Sequence, residues 1–368
     1  MMMAKKNRYG FGIVGCGMVS HFHARAIQAM KGGYLTCVFS RNAANAETVA
    51  KAFNCKAYTD YNEFLKHPDL DIVTVATPSG AHLEPAARAA KAGKHIICEK
   101  PLEVTLERVD QMIRVCHENN VMLAGIFPRR FNEASQVFKK AVQAGRLGKI
   151  TMADAYIKWY RTQQYYDSGK WRGTWNLDGG GALMNQSIHT IDLLYYLAGD
   201  VISVSAFADR TIHNRIEVED IAVAILRFKS GAVGVIEGST ACYSPTGHAA
   251  EVHICGSDGS IFMKDNSFTV WDFRKKEPRD RRIRKTLWAS PDGEGAGAAD
   301  PSAIDYTPFR KNFEDVVNAL KKGSSPLVTG KEARKSIEIV LAIYRSALSG
   351  GKPVQLPLKR TPLRKSFR

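Results

Sequence analysis

"GFGIVGCGMVSHFHARAI", residues Gly10 to Ile27, decides the fold. The apolar run Tyr9–Val14 reads as a strand, and the segment 20–30 reads as a helix. Between them Gly15, Gly17 and Ser20 keep the spacing G-x-G-x-x-G, with Ser in the third place. Gly15 permits the tight turn, Gly17 lets the backbone approach a pyrophosphate, and a small Ser satisfies the packing at the third position. The phosphate belongs at the helix N-terminus, on the unpaired amides and positive dipole end around Met18 and Val19. Glycines serving only a tight turn are the competing reading; the strand-turn-helix context favours a dinucleotide site.

Working outward, short apolar runs continue to alternate with helical segments. Strands are expected at 35–39, 72–76, 95–98 and 121–125, and helices at 43–53, 82–92 and 105–118. This alternation predicts parallel βαβ units, hence a doubly wound α/β Rossmann sheet over 1–127. After about residue 130 the pattern changes. A helix at 133–144 and a long strand at 150–161 precede an irregular stretch and a further helix. Strand-like runs follow at 201–208, 220–228, 232–240, 251–256, 260–264 and 267–273, with "KSGA" and "SDGS" as turns. Strands in series predict an α+β second domain with a mainly antiparallel sheet over 128–350. The helices 307–348 are free to pack back on the Rossmann domain, and 351–368 forms a basic tail. The glycine-rich 290–300 reads as a loop.

The chain has 368 residues, enough for about two domains. At 45% hydrophobic and 24% charged residues it is an ordinary globular composition. No apolar run approaches the ~18 residues that span a bilayer, and the start lacks the apolar core of a signal peptide. A cytoplasmic protein without membrane partners is expected. Seven dispersed cysteines, none in C-x-x-C, predict reduced thiols rather than disulfides or a metal site. The net charge of +16 is concentrated in Arg274 to Lys285 and Lys359 to Arg368. Neither run is interleaved with aromatics, so they read as a solvated loop and a terminus, and no nucleic-acid partner is expected.

Two further constellations carry chemistry. Strand 95–98 ends in Glu99-Lys100-Pro101, and strand C-terminal ends in such sheets face the ligand crevice. Thr77, Pro78 and His82 reach the same crevice from strand 72–76. At the end of strand 35–39, where an NAD-selective site carries Asp or Glu, this chain has Ser40 and Arg41. Nothing there repels a 2′-phosphate, which leans toward NADP, although Arg41 could equally stack on adenine or face solvent. The second constellation is "DGGGALMNQSIHTIDLL", Asp178 to Leu194, with Asn185 and His189 four residues apart on a helix.

Taken in order, Gly15-x-Gly17-x-x-Ser20, Glu99-Lys100-Pro101 and Gly179-Gly180-Gly181-x-x-x-Asn185-x-x-x-His189 resemble the Gfo/Idh/MocA oxidoreductases. The likeness extends through "FPRRFN", "AGRLGKI", "VEDIAVAILRFKSGAVGVIEGS" and "GKEARKSIEIVLAIYRSALSGGKPV". It implies a bound NAD(H) or NADP(H), a homodimer or homotetramer packed through the open sheet, and oxidation or reduction of a ring carbon in a sugar, sugar nucleotide or inositol. A minority of such proteins use NAD in glycoside cleavage; a dinucleotide-binding regulatory protein is the other alternative. The catalytic lysine and histidine carry over to Lys100 and His189. The family's frequent aspartate falls at Asn185, where this chain departs.

The residues suit that chemistry. Imidazole titrates near neutrality, so His189 can move the hydroxyl proton, and Lys100 can stabilise a developing alkoxide. Asn185 cannot act as acid or base but can orient substrate. Asp192 is either an orienting partner for His189 or a structural carboxylate. In "KWYRTQQYYDSGKWRGTWNLD" (Lys158 to Asp178), aromatic faces suit sugar rings and Arg suits carboxylate or phosphate. Lys158, Arg172, Trp171, Tyr160 and Trp175 are the candidate substrate contacts.

Overall fold

The structure is a computed structural model and describes residues 6–290, 305–362 and 367. It divides into two compact units. One takes the chain to Pro128 together with Asp305–Arg334, and the other takes the rest.

In the first unit, six strands among the described residues form a parallel sheet: β1 (Tyr9–Val14), β2 (Gly33–Phe39), β3 (Lys56–Tyr58), β4 (Ile72–Val75), β5 (His95–Cys98) and β6 (Leu123–Gly125). Their order is β3-β2-β1-β4-β5-β6. Every residue of β1 and β4 is buried, as a parallel sheet covered on both faces requires. The helices are α1 (Met18–Ala29), α2 (Ala43–Phe53), the short α3 (Tyr61–Leu65), α4 (Leu83–Lys91) and α5 (Leu106–Glu118). β3 and α3 were not expected from the sequence. A three-residue strand is too short to show a period, and its place is set by pairing with Cys37, Val38 and Phe39 of β2.

A later helix completes this core. Asp305–Arg334 falls inside the stretch 128–350 that the sequence suggested as the second domain, yet it belongs to the first unit. Its helix, Thr307–Lys322, places Phe309, Phe313, Val316 and Val317 among Phe11, Ile13 and Ile27. The buried Asn312 accepts a hydrogen bond from Phe127 N (3.1 Å) and so ties the helix to the end of the sheet. Truncating a fully buried Phe such as Phe313 costs ~3–5 kcal/mol.

The second unit begins with α6 (Glu133–Gln143) and β7 (Ile150–Lys158), followed by α7 (Gln163–Asp167). Then comes a π-helical turn, Ala182–Ser187, which runs into α8 (Ile188–Ala198). Strands β8 (Val201–Asp209), β9 (Ile221–Phe228), β10 (Val233–Ser239), β11 (Glu251–Gly256), β12 (Gly259–Lys264), β13 (Ser267–Phe273) and β14 (Val354–Gln355) follow. Among the described residues they form with β7 an eight-stranded sheet, ordered β13-β12-β11-β7-β10-β9-β8-β14. The pairing is antiparallel except for β7 with β10. One face is packed: Ala155, Ala224 and Ile236 are buried, and a side chain at Gly238 would strike Leu183 and Ser187. The other face is open and carries the exposed Met152, Phe207, Val223, Ile225 and Val233.

The basic run 274–285 differs from the expected loop. Pro278–Thr286 is a helix, α9, started by a capping box between Glu277 and Asp280 with Pro at its first position. Arg284 pairs with Asp272, and Arg146 pairs with Asp280 at 2.6 Å, which disperses part of the charge. The glycine-rich loop beyond residue 290 and the tail residues 363–366 and 368 lie outside the described residues. No helix among the described residues is long and apolar enough to cross a membrane.

Candidate active site

The first unit presents a nucleotide-binding edge. Gly15 has φ +98°, and a Cβ there would lie 2.6 Å from the Ala76 carbonyl oxygen, so only glycine turns the chain at this point. Gly17 is different. It is exposed, and a Cβ would meet nothing within 4 Å. Here glycine serves no contact within the chain and leaves room for a ligand. Gly17 is also the N-cap of α1 without a side-chain cap, and the first turn holds no acidic residue. The amides of Met18 and Val19 thus open the helix toward an anion. Ser20 is fully buried and donates to the Gly17 carbonyl at 2.5 Å, the packing role expected of the third position. These residues fit a dinucleotide.

At the end of β2, Ser40 Oγ accepts from Asn42 N (3.1 Å). Arg41 is exposed and makes no hydrogen bond or ion pair with the described residues. Asn42 caps α2, and the first turn of that helix also lacks an acidic group.

Thr77 and Pro78 sit half-buried after β4, where Thr77 Oγ1 donates to the Ala81 carbonyl (2.9 Å). His82 turns its ring into the interior of the unit. It is 1% exposed, with one ring nitrogen 2.8 Å from the Thr77 carbonyl and the other 2.9 Å from the Pro101 carbonyl. It pins the turn after β4 to the Glu99-Lys100-Pro101 segment, whose Lys100–Pro101 peptide is cis. The pin has a buried support in Glu103, which accepts from the amides of His82 and Leu83 and from Arg108.

Glu99 also faces inward. Its Oε1 lies 2.9 Å from Nε2 of the buried His23, and its Oε2 accepts from Lys100 N at 3.0 Å. The other nitrogen of His23 lies 3.0 Å from Thr74 Oγ1. Burial pushes the Glu99 pKa up, but the His23 hydrogen bond and the charges of His23 and Lys100 bring it below its ordinary value. Glu99 therefore links α1 to the backbone of Lys100, and Lys100 itself is half-buried. The His23–Glu99 link was not legible: the partners stand 76 residues apart.

In the second unit the triple glycine has a packing cause. A Cβ at Gly180 would lie 2.1 Å from the Tyr344 hydroxyl, and one at Gly181 would lie 1.8 Å from the Glu219 carbonyl oxygen. Glu219, fully buried, accepts from Gly181 N (3.0 Å), Leu183 N (2.8 Å) and Tyr344 OH (2.9 Å). One carboxylate thus caps the helix start that carries Asn185 and His189. Burial raises its pKa to about 7 against those three donors. The sequence signal was present in "VED", but its partners are backbone amides 36 and 38 residues upstream.

Asn185 and His189 are both half-buried. The π-helical turn under Asn185 widens the backbone, a feature frequent at functional sites. Asn185 donates to Asp178, whose other oxygen accepts from Gly173 N (2.8 Å). Its own carbonyl accepts from Gln186 Nε2 (3.0 Å). The same Gln186 nitrogen donates to Tyr165 OH (2.7 Å), and Arg172 Nη1 donates to that hydroxyl from the other side (2.7 Å). The structure therefore joins Arg172 to Asn185 through Tyr165 and Gln186, neither of which the sequence singled out. Trp171 is part of the same group, with its ring centroid 4.6 Å from the Arg172 guanidinium carbon.

Three expected contacts lie elsewhere. Lys158 stands on the open face of the sheet and pairs with Glu237 at 2.8 Å. It follows Ile157, which turns to the packed face, so strand alternation points Lys158 away from α8. Tyr160 packs edge-on against the exposed Tyr243. Trp175, half-buried, packs against Tyr344 and Phe367. Asp192 is structural: it is 1% exposed, its two oxygens each lie 2.7 Å from the guanidinium of the buried Arg130, and Ser336 donates to it at 2.7 Å.

The comparisons agree with this architecture. Residues 9–127 match the family described as "Oxidoreductase family, NAD-binding Rossmann fold", and residues 135–262 match "GFO/IDH/MocA C-terminal domain". The chain belongs to the Gfo/Idh/MocA oxidoreductase family. It is 32% identical to the WlbA dehydrogenase from Bordetella pertussis, solved with NADH and UDP-GlcNAcA, at a TM-score of 0.85 over 97% of this chain and 100% of that one. It is 27% identical to scyllo-inositol 2-dehydrogenase (NAD(+)) of Bacillus subtilis (strain 168), over 95% of this chain and 96% of that enzyme. Myo-inositol 2-dehydrogenase of Thermotoga maritima is 28% identical over 91% of this chain and 95% of its own length. This family member is an NAD(P)-dependent oxidoreductase, and neither glycoside cleavage nor a regulatory role is favoured by these relatives.

Proposed function

We propose that this enzyme transfers a hydride between nicotinamide and a ring carbon of a sugar, sugar derivative or sugar nucleotide, with Lys100 and His189 as its catalytic residues. The observation that carries the proposal is the construction around each of them. Lys100 is set by Glu99 and by the His82 pin. His189 stands on a helix whose first turn is capped by the buried Glu219 and lined by the Asn185 network. Gly15 to Val19 and the end of β2 would hold the coenzyme, which when bound would supply the hydride acceptor or donor. His189 exchanges the hydroxyl proton, and Lys100 stabilises the alkoxide character that develops on that oxygen. Asn185, committed to Asp178, orients the substrate and does not relay a proton.

The test follows reduced nicotinamide with NAD⁺ or NADP⁺ against a panel of inositols, sugars and sugar nucleotides. Lys100→Ala and His189→Ala are expected to lose ~10²–10⁴-fold in kcat while still binding coenzyme. Near-wild-type rates in both would overturn the assignment. Arg41 with Ser40 supports use of NADP as well as NAD. The exposed Phe207, Val223 and Ile225 support a homodimer or homotetramer through the open sheet. A sedimentation profile containing only monomer would remove that element. The seven free thiols support a reducing, cytoplasmic setting.

A further inference from the structure

The Arg172 side chain has more donors than the described residues use. Its guanidinium carbon lies 4.3 Å from the Tyr165 ring centroid and 4.6 Å from that of Trp171, so two aromatic rings fix its position. Of its five N–H groups, one is spent on Tyr165 OH. No carboxylate among the described residues pairs with it, and it is only half exposed to water.

A second guanidinium stands on the same ring. Arg161, 6% exposed, lies 5.5 Å from the Tyr165 centroid. It donates to the Tyr160 carbonyl and to Gln186 Oε1, each at 3.0 Å. Burial lowers the Arg161 pKa from its ordinary value against the opposing pull of Tyr165 and Tyr166, and the charge of Arg172 adds a small push in the same direction. Two cations thus converge on one tyrosine. The carboxylate of the adjoining network, Asp178, is turned to Gly173 N and Asn185. Partly desolvated like charges are costly unless an anion completes them. A rigid guanidinium fork is the natural partner for a planar carboxylate or a phosphate. The place is also right: Tyr165 and Gln186 connect Arg172 to Asn185, four residues before His189.

Resting on the dehydrogenase reading above, we propose that Arg172, backed by Arg161, binds an anionic group of the substrate. The preferred substrate is then an acidic sugar or a sugar nucleotide, not a neutral polyol. The shared chemistry is a carboxylate or phosphate oxygen pair facing the guanidinium.

The experiment measures binding to the NADH-loaded enzyme by nicotinamide fluorescence, with turnover followed in parallel. Its probes are myo-inositol and glucose (neutral), glucuronate (carboxylate), UDP-glucose (phosphate) and UDP-glucuronate (both). At least one anionic probe should bind at least about 10-fold more tightly than either neutral one, and glucuronate against UDP-glucose tells which anion is read. Arg172→Gln should weaken that binding by about 10- to 100-fold. It should leave NADH affinity unchanged and weaken neutral-sugar binding far less than anion binding, and Arg172→Lys should restore only part. Tighter binding of neutral probes, no saturable binding of any anionic probe, or an equal loss on neutral and anionic probes in Arg172→Gln would overturn the proposal. Turnover of neutral polyols alone would sink this proposal and leave the dehydrogenase reading intact. Saturable anion binding with no hydride transfer to any substrate would sink that reading instead.

Discussion

Gly181→Ala and Gly17→Ala add the same methyl group at two glycines that the structure treats in opposite ways. At Gly181 the new carbon would lie 1.8 Å from the Glu219 carbonyl oxygen and 2.9 Å from Val218 Cγ2. The obstacle is backbone, so the chain must open by at least about 1.2 Å to reach the 3.0 Å that side-chain carbons respect. Overpacking of this kind costs ~1–3 kcal/mol. The same movement stretches the Glu219 hydrogen bonds to Gly181 and Leu183, each worth ~0.5–1.5 kcal/mol. A loss of about 3–5 kcal/mol corresponds to a melting temperature lower by roughly 6–20 °C for a unit of this size. A displacement near 1 Å under Asn185 and His189 also predicts a kcat reduced ~10²-fold. At Gly17 the methyl meets nothing within 4 Å. Gly17→Ala should therefore melt within about 1 °C of the parent, since open surface positions tolerate substitution. Its coenzyme dissociation constant should nevertheless rise at least about 10-fold, because close backbone approach to the pyrophosphate is lost. Differential scanning fluorimetry, steady-state kinetics and NADH titration read all three quantities. An unchanged kcat and melting temperature in Gly181→Ala would refute the packing account. An unchanged coenzyme affinity in Gly17→Ala would refute the site.

Other perturbations test separate parts. Glu219 titrates at about 7 in the fold against an ordinary 4.5, so the folded state favours its neutral form. The stability this contributes is present below the ordinary value and is lost as pH rises through about 7; the melting temperature should fall between about pH 5 and 8, and Glu219→Gln should flatten that fall. A variant curve parallel to the parent's would refute it. Asp192→Asn leaves the buried Arg130 charge without its carboxylate and should cost ~3–5 kcal/mol in urea unfolding, whereas an orienting role for His189 would instead appear as a kinetic defect in a stable protein. Arg41→Ala should raise KM for NADP⁺ about 10-fold or more and leave KM for NAD⁺ unchanged; equal effects would assign Arg41 to adenine or to solvent.

What could be read from the sequence was what depends on neighbours along the chain. The strands Tyr9–Val14 and Glu251–Gly256 and the helix Ala43–Phe53 announce themselves by apolar runs, periodicity and an Asn N-cap. Gly15 and Gly17 could be read for the same reason, since a tight turn and a helix start are local events. The basic run shows how a local signal is overridden in reading: Glu277, Pro278 and Asp280 spell a capped helix start, but eight cations in twelve residues suggested a solvated loop. What could not be read depends on partners far apart in the chain. Asp192 read equally as an orienting or a structural carboxylate until Arg130, 62 positions away, took both its oxygens. Trp175 resembled a sugar platform until Tyr344 covered it. Lys158 looked available because a lone strand does not reveal which of its faces is covered.

The same division bears on Asn185, which stands where the family resemblance implies an aspartate. An aspartate there would bring a second carboxylate against Asp178, to which Asn185 now donates. Two carboxylates at that distance cannot both stay ionised, and one would be held protonated. The amide removes the conflict and leaves Asp178 to accept from Gly173 N. It also leaves His189 as the titrating group proposed for this helix face, so the pH–rate profile should show one limb from it. Asn185→Asp is the decisive variant. If Asp178 is the constraint, this change should add a second ionisation to the profile, and Asp178→Asn in the same chain should remove it again. A profile indifferent to both changes would mean that the amide is there for the substrate alone.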